Sequence, residues 1–423
     1  MLSAWELLAV ELCDFVDNSK ELTDSLVRVV ETCLQENVET GLPAPIFTQI
    51  LARRAEFAFV VVRKLHQALP DSDLFTRVFT VALKAIHNST TQFRQALATA
   101  DMDYYRSLLR IIYISLNAAV KQEKHSQEFG ILVVDLLDIV VAKGFKDLAQ
   151  AAHQYPDRAN PQDIALVTGI LQAALRIKDT SEIHYGLANH LHENQTIRAA
   201  ATLFSWAEQL ATNEEDPVYG ELSVLFLLEL SSVPVIAEQL ALENILELLT
   251  STTLAARIRE GVTPPSHPRL HAIWYRGLLP LALNLLANIG IRYGREIIAF
   301  LKYFTPQIRV AMVDAWKSKQ STVVVLPAVN ECVGIAMILA IVQKLGGKQE
   351  LVTGVNLDTS TIVEGVDYFL THRNYLKSLV TAASVEEEEM VRAGDGEEED
   401  GLVERVVNGL VTLQGLLTDD AEE

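Results

Sequence analysis

Apolar residues recur at threes, fours and sevens along almost the whole chain, and this period limits the possible folds more than any other feature. Between Pro45 and Leu69, Ile46, Ile50, Phe57, Val61 and Leu65 follow helical spacing, with Arg53, Arg54, Glu56, Arg63 and Lys64 between them. Tyr104, Leu108, Ile111, Ile112 and Leu116 repeat the pattern, as do Ile131, Val134, Leu137 and Val141. No strand–turn–strand pattern interrupts it. Val323-Val324-Val325 is a β-branched run, and Pro327 marks it as a lead into a helix.

Helices are expected near 3–17, 20–38, 45–69, 72–87, 101–124, 127–143, 146–154, 161–178 and 181–193. Further ones are expected near 197–212, 217–230, 234–250, 268–289, 293–303, 306–317, 327–345 and 359–382. Gly144 reads as a left-handed stop. Asn160-Pro161-Gln162-Asp163 supplies a cap, a first-turn proline and a first-turn carboxylate, and Asp216-Pro217 and Thr305-Pro306 read as the same device. The last helix carries capping-box spacing at Thr361–Glu364, with Asp358 and Thr359 as alternative caps. Pro280 should kink its helix. Thr252 to His267 is the longest ordered loop, and Gly346-Gly347-Lys348 reads as a helix end.

A helix with one apolar stripe must bury it on a neighbour, and 423 residues exceed the usual size of a single core. Short connections make successive helices neighbours in space. The expected fold is therefore all-α, an α-solenoid of irregular HEAT/armadillo-like helical repeats over residues 1–383, without a fixed-period motif. An acidic disordered linker is expected over 384–401. Residues 402–423 form a C-terminal amphipathic helix (Val403, Val406, Leu410, Leu413, Leu417) and an acidic tail. That helix either docks back or meets a partner.

The formal charge is −20, and Val385 to Glu423 carries 14 acidic and 2 basic residues, leaving −8 for the rest. An acidic body offers no basic stripe to phosphates, which argues against nucleic acid and anionic membrane surfaces. Cys13, Cys33 and Cys332 have no metal-ligand spacing and fit buried thiols in a reducing compartment. Leu2 to Leu12 lacks a basic signal-peptide start. Val323 to Val342 approaches bilayer-spanning length, but Pro327, Asn330 and Glu331 lie in it, so a helix buried on all sides is expected instead of a transmembrane segment.

Nucleotide-binding loops, a nucleophile elbow and a zinc-protease motif are all missing from the sequence, and neither enzyme activity nor a cofactor is expected. His184 and His192 share a helix face while His190 points elsewhere, and His267 and His271 straddle Pro268. Asp135 and Asp138 read as a solvent face. The aromatic residues Trp274, Tyr275, Phe300, Tyr303, Phe304, Tyr368, Phe369 and Tyr375 sit at helical spacing. Core packing accounts for such stripes, and a groove for a partner's amphipathic helix is the functional alternative.

Two stretches carry a resemblance. Pro43-Ala44-Pro45-Ile46-Phe47 through Phe57-Ala58-Phe59 to Leu65 resembles a helix in the C-terminal region of the large inner-ring scaffold nucleoporins. Trp274-Tyr275-Arg276-Gly277-Leu278-Leu279-Pro280 onward to Leu286, with Glu296 to Leu301, is similar to the nucleoporin 188 type of that family. The resemblance implies a helical solenoid without enzyme activity, placed at the nuclear pore complex of the nuclear envelope. It also implies a scaffold role in nucleocytoplasmic transport, including mRNA transport. Its partners would be other nucleoporins, among them a linker nucleoporin bound through a short amphipathic helix, and transport receptors. Family members are several times longer, so residues 1–423 would match their C-terminal part. A karyopherin-like transport receptor or cargo adaptor is the alternative that shares this architecture.

Overall fold

A computed structural model of the chain describes residues 20–39, 45–69, 74–88, 102–122, 125–178, 181–210, 216–314, 323–344, 359–394 and 401–418, together with Leu8, Glu11, Leu12, Ala96 and Trp316. The expected helix at 3–17, Gly346-Gly347-Lys348 and the acidic run at 395–400 lie largely or wholly outside these residues. The chain divides into two units, Met1–Ala200 and Ala201–Glu423.

In the first unit, α1 (Lys20–Glu39), α2 (Pro45–Ala68), α3 (Leu74–Asn88) and α4 (Asp103–Val120) pack on one another. The stack continues through α5 (Gln127–Leu136), a π segment (Leu137–Gly144), α6 (Phe145–Gln154), α7 (Pro161–Leu175) and α8 (Ser181–Asn194). α9 (Thr196–Trp206) crosses into the second unit. There α10 (Val218–Ser231), α11 (Pro234–Leu242), α12 (Ile245–Thr250), α13 (Thr253–Arg259) and α14 (Pro268–Ala272) follow. A π segment (Ile273–Leu278) leads into α15 (Leu279–Ile289), followed by α16 (Gly294–Tyr303) and α17 (Thr305–Arg309), which runs into a third π segment (Val310–Asp314). The chain closes with α18 (Leu326–Val342), α19 (Thr359–Thr371), α20 (Arg373–Leu379), α21 (Val385–Gly394) and α22 (Gly401–Thr418). Most helices bury their stripes against helices nearby in the chain, whereas α22 packs mainly on α18. The fold is the expected all-α solenoid of irregular helical repeats, and an isolated bridge between Val324 and Val380 is the β-pairing among the described residues.

Several boundaries differ from expectation, each for a local reason. Gly144 does not stop its helix: it has φ −62° and sits between the first π segment and α6, with Thr196 Oγ1 donating to the nearby Ala142 carbonyl at 2.9 Å. Pro280 sits in the first turn of α15 directly after a π segment, the irregular stretch of this helix. Residues 234–250 are two helices, because Asn244 adopts φ 53° between them. Thr252 caps an unforeseen α13 by accepting from Ala255 N–H at 3.2 Å, which shortens the expected loop. Residues 359–382 break at His372, and Val380 leaves the helical path to pair with Val324.

The Asn160 cap is as expected, accepting from Gln162 N–H at 2.9 Å. Asp163 in the same turn is buried and receives a two-pronged pair from Arg106 of α4, at 2.7 and 2.9 Å. That contact holds the Arg106 guanidinium pKa above its ordinary value. The caps read at Asp216 and Thr305 are not made, although Pro306 does sit in the first turn of α17. Asp216 pairs with Arg269 at 2.6 Å, and the Thr305 hydroxyl donates back to Lys302 O at 2.9 Å. The alternative cap at Thr359 and the capping box at Thr361 are both excluded by a helix that already includes Thr359.

Residues 385–394 are helical where disorder was expected. Ser384 Oγ accepts from Glu387 N–H at 3.3 Å, and Glu387 returns a bond from Ala383 N–H at 2.7 Å. Three first-turn glutamates also lie at the positive end of the helix dipole. Close approach is another constraint: a Cβ added to Gly277 would collide with the Val224 side chain of α10. Gly277→Ala should therefore cost about 1–3 kcal/mol, read from the midpoint of urea unfolding.

Candidate functional site

α18 is apolar apart from Asn330 and Glu331, and it is enclosed on most rather than all sides, since Asn330 is exposed. It packs on α15, on the second and third π segments, and on α22. α22 docks back through Leu402, Val406, Leu410 and Leu413, all fully buried. Its Gly409 allows close approach, since a Cβ there would stand 2.7 Å from Val329 Cγ1. No helix among the described residues is long and apolar enough to cross a membrane.

Glu331 of α18 is 3% exposed and lies at the centre of a polar cluster. Oε1 accepts from Trp274 Nε1 at 2.6 Å and from Gln307 Nε2 at 2.8 Å, and Oε2 lies 2.7 Å from His271 Nε2. Gln307 continues the network, taking a bond from Val262 N–H at 2.6 Å and donating to Val262 O at 2.9 Å. One carboxylate thus joins α14, the second π segment, α17, α18 and the turn after α13. Neighbouring Cys332 is fully enclosed, and burial, with the Glu331 charge beside it, pushes its thiol pKa far up. Cys33 is partly exposed and also raised by burial, whereas Cys13 lies outside the described residues.

The eight aromatic candidates do not share one groove. Trp274, Phe300 and Phe304 pack in the core, with ring centroids 4.7–5.9 Å apart. Burial there satisfies apolar area that a groove would leave wet. Tyr275 is half-buried, its hydroxyl pKa raised by burial and its ring beneath Arg276. Tyr368 stacks on His372 at 4.4 Å and meets Tyr375 edge-on at 6.0 Å. Phe369 faces Trp316, centroids 6.1 Å apart.

Two concavities among the described residues of the second unit bear on function. A recess of about 520 Å³ is lined by Val262, Pro264, Trp316, Val324, Val329 and Phe369, among others, with Val323 57% exposed at its mouth. A smaller cleft of about 290 Å³ lies between α12 and α16 and includes Phe300 and Tyr303. Sequence reading reached only those two side chains and Phe369, because the valines, prolines and acidic residues of these walls lie in segments distant in sequence.

The titratable candidates serve packing. His190 Nδ1 approaches Asp138 at 3.3 Å, and Asp138 also takes Lys143 and Asn194, so it knits the first π segment to α8 rather than facing solvent. His184 is part-buried, which lowers its pKa. His271, unremarkable in sequence, is the buried partner of Glu331. Among the described residues, no group of three or more His, Cys, Asp or Glu is placed to hold a metal ion.

Comparison with known proteins places this arrangement. A family profile described as the nuclear pore protein NUP188 C-terminal domain matches residues 78–417. Nucleoporin NUP188 of Chaetomium thermophilum is 29% identical over the whole of this chain, and that of Saccharomyces cerevisiae 25% identical over 92% of it. The chain spans 26% of the length of each of these two curated relatives. Among solved structures, Nup188 (amino acids 1445–1827) of Myceliophthora thermophila is 30% identical, with a TM-score of 0.64, covering 78% of this chain and 98% of that one.

Proposed function

This chain belongs to the nuclear pore protein NUP188 C-terminal domain family, whose place is the nuclear pore complex at the nuclear envelope, and on that premise we propose that it acts as a scaffold segment of the pore that receives a short amphipathic helix from another nucleoporin. The supporting observation is the open apolar recess beside α18, rimmed by Val323 and walled by valine, proline and aromatic side chains. An amphipathic helix binds by laying apolar residues at helical spacing into such a wall. Support of nucleocytoplasmic transport follows from holding pore components in place, through binding rather than turnover.

Charge placed at Phe300 or Phe304 would disrupt the core and test folding only. Val323→Glu is the informative variant, because its side chain is mostly solvent-facing. Nucleoporins recovered by the purified chain from nuclear extract should fall at least about tenfold with Val323→Glu, at an unchanged unfolding midpoint. Undiminished recovery by the variant would remove the recess as the receiving surface.

A further inference from the structure

The cleft between α12 and α16 has a chemistry different from the recess. Phe300 and Tyr303 come from α16 and Tyr293 from the turn before it. Glu247 of α12 and Glu296 of α16 bring carboxylates, and the lining holds no cationic group. Both glutamates are exposed, and neither has an ion-pair partner among the described residues. Tyr293 is buried, and burial with the adjacent Glu296 charge raises its hydroxyl pKa to about 12, so it stays a neutral phenol. Asn244 at the edge holds a left-handed φ of 53°.

The surroundings point to a protein partner. Leu242 is 83% exposed and Ile291 54%, and each lies within two residues of a cleft-lining residue in sequence. Large apolar side chains left in water on the elements that form a depression edged by carboxylates are a feature of interfaces. At about 290 Å³ the cleft falls just below the usual range for a drug-sized ligand. It suits one long side chain. The Tyr303 ring already attracts a cation on one face, where Arg259 stands 5.1 Å from its centroid.

We infer that this cleft receives a single basic side chain, arginine or lysine, carried on an amphipathic segment of a partner protein. The cationic head lies between Glu247 and Glu296, its methylene stem runs along Tyr303, and flanking apolar residues cover Leu242 and Ile291. The proposal rests on the scaffold reading only in assuming a protein partner, and it uses residues that the recess does not.

The test is fluorescence anisotropy of the full chain with a labelled leucine–alanine helical peptide bearing one central arginine, and with its glutamine counterpart. The wild-type chain should prefer the arginine peptide by about tenfold, the preference shrinking as salt rises. The double variant Glu247→Gln, Glu296→Gln should lose that preference while keeping its unfolding midpoint, since both side chains are exposed. The single variants serve as a check should the double one lose stability. Val323→Glu should keep the preference, which separates failure here from failure of the recess. Equal affinity for the two peptides, binding of neither, or a preference that survives loss of both carboxylates would overturn the assignment.

Discussion

Truncation of Glu331 to alanine should destabilise the second unit by about 3–5 kcal/mol, the range seen when one member of a buried charged network is removed. The substitution deletes an acceptor that Trp274, Gln307 and His271 all address, in a site with almost no access to water. Each polar group left unpaired in the interior costs about 1–3 kcal/mol. Glu331→Gln should cost less, because the amide oxygen still accepts from Trp274 and Gln307 and its N–H group can donate to His271 Nε2 in the Nδ1–H tautomer. Because the cluster ties the turn after α13 to α18, the damage should spread. Urea unfolding would show the loss as a lowered midpoint, and amide exchange should accelerate at Val262 as well as along α18. A midpoint unchanged by Glu331→Ala would mean that water or a rotated side chain replaces the carboxylate at little cost.

A larger effect is expected from α22. Burying four large apolar side chains contributes about 1.5–3 kcal/mol each, and the sum of about 6–12 kcal/mol is an upper estimate. Val406→Asp with Leu410→Asp should replace that gain with two carboxylates facing the apolar wall of α18. The helix should then leave its seat. Amide exchange over residues 401–418 should rise at least a hundredfold, equivalent to about 3 kcal/mol of lost protection. An environment-sensitive dye should detect the uncovered face of α18. Protection of the helix in the double variant would show that its attachment depends on polar contacts, such as that from Gln414 to Asp367, rather than on apolar burial.

α18 and α22 show how far pattern carries. The apolar run from Val323 to Val342, broken by Glu331, already required a helix enclosed by protein, and the stripe through Val406, Leu410 and Leu413 already required a surface to cover. Pattern could not join the two. Helical period states that a face will be buried, whereas the burying partner depends on how the intervening chain turns. The acidic stretch after Val385 misled for a related reason: net charge favours disorder, but Ser384 Oγ accepts from Glu387 N–H while the Glu387 carboxylate accepts from Ala383 N–H, and these two bonds start a helix. The Ser384-x-x-Glu387 spacing was a readable signal of that start.

The aromatic candidates divide along the same line. Their spacing placed them on helix faces, and nothing in spacing separates a face that meets a neighbouring helix from one that meets water. Trp274, Phe300 and Phe304 all went inward, Phe300 reaching only the floor of a cleft that Tyr303 also lines and whose carboxylates, Glu247 and Glu296, are supplied by two different helices.

The sequence by itself determined that this protein is a serial stack of helices, because an apolar stripe repeated every few residues is stable only as a helix pressed against another helix. It also determined most helix limits, since caps, prolines and glycines act within one turn. The tertiary structure alone decided which carboxylate became the buried acceptor, which aromatic rings stayed accessible and where the last helix rests. Those outcomes depend on distances between groups 20 to 80 residues apart, as from Trp274 to Glu331, and no local propensity encodes them.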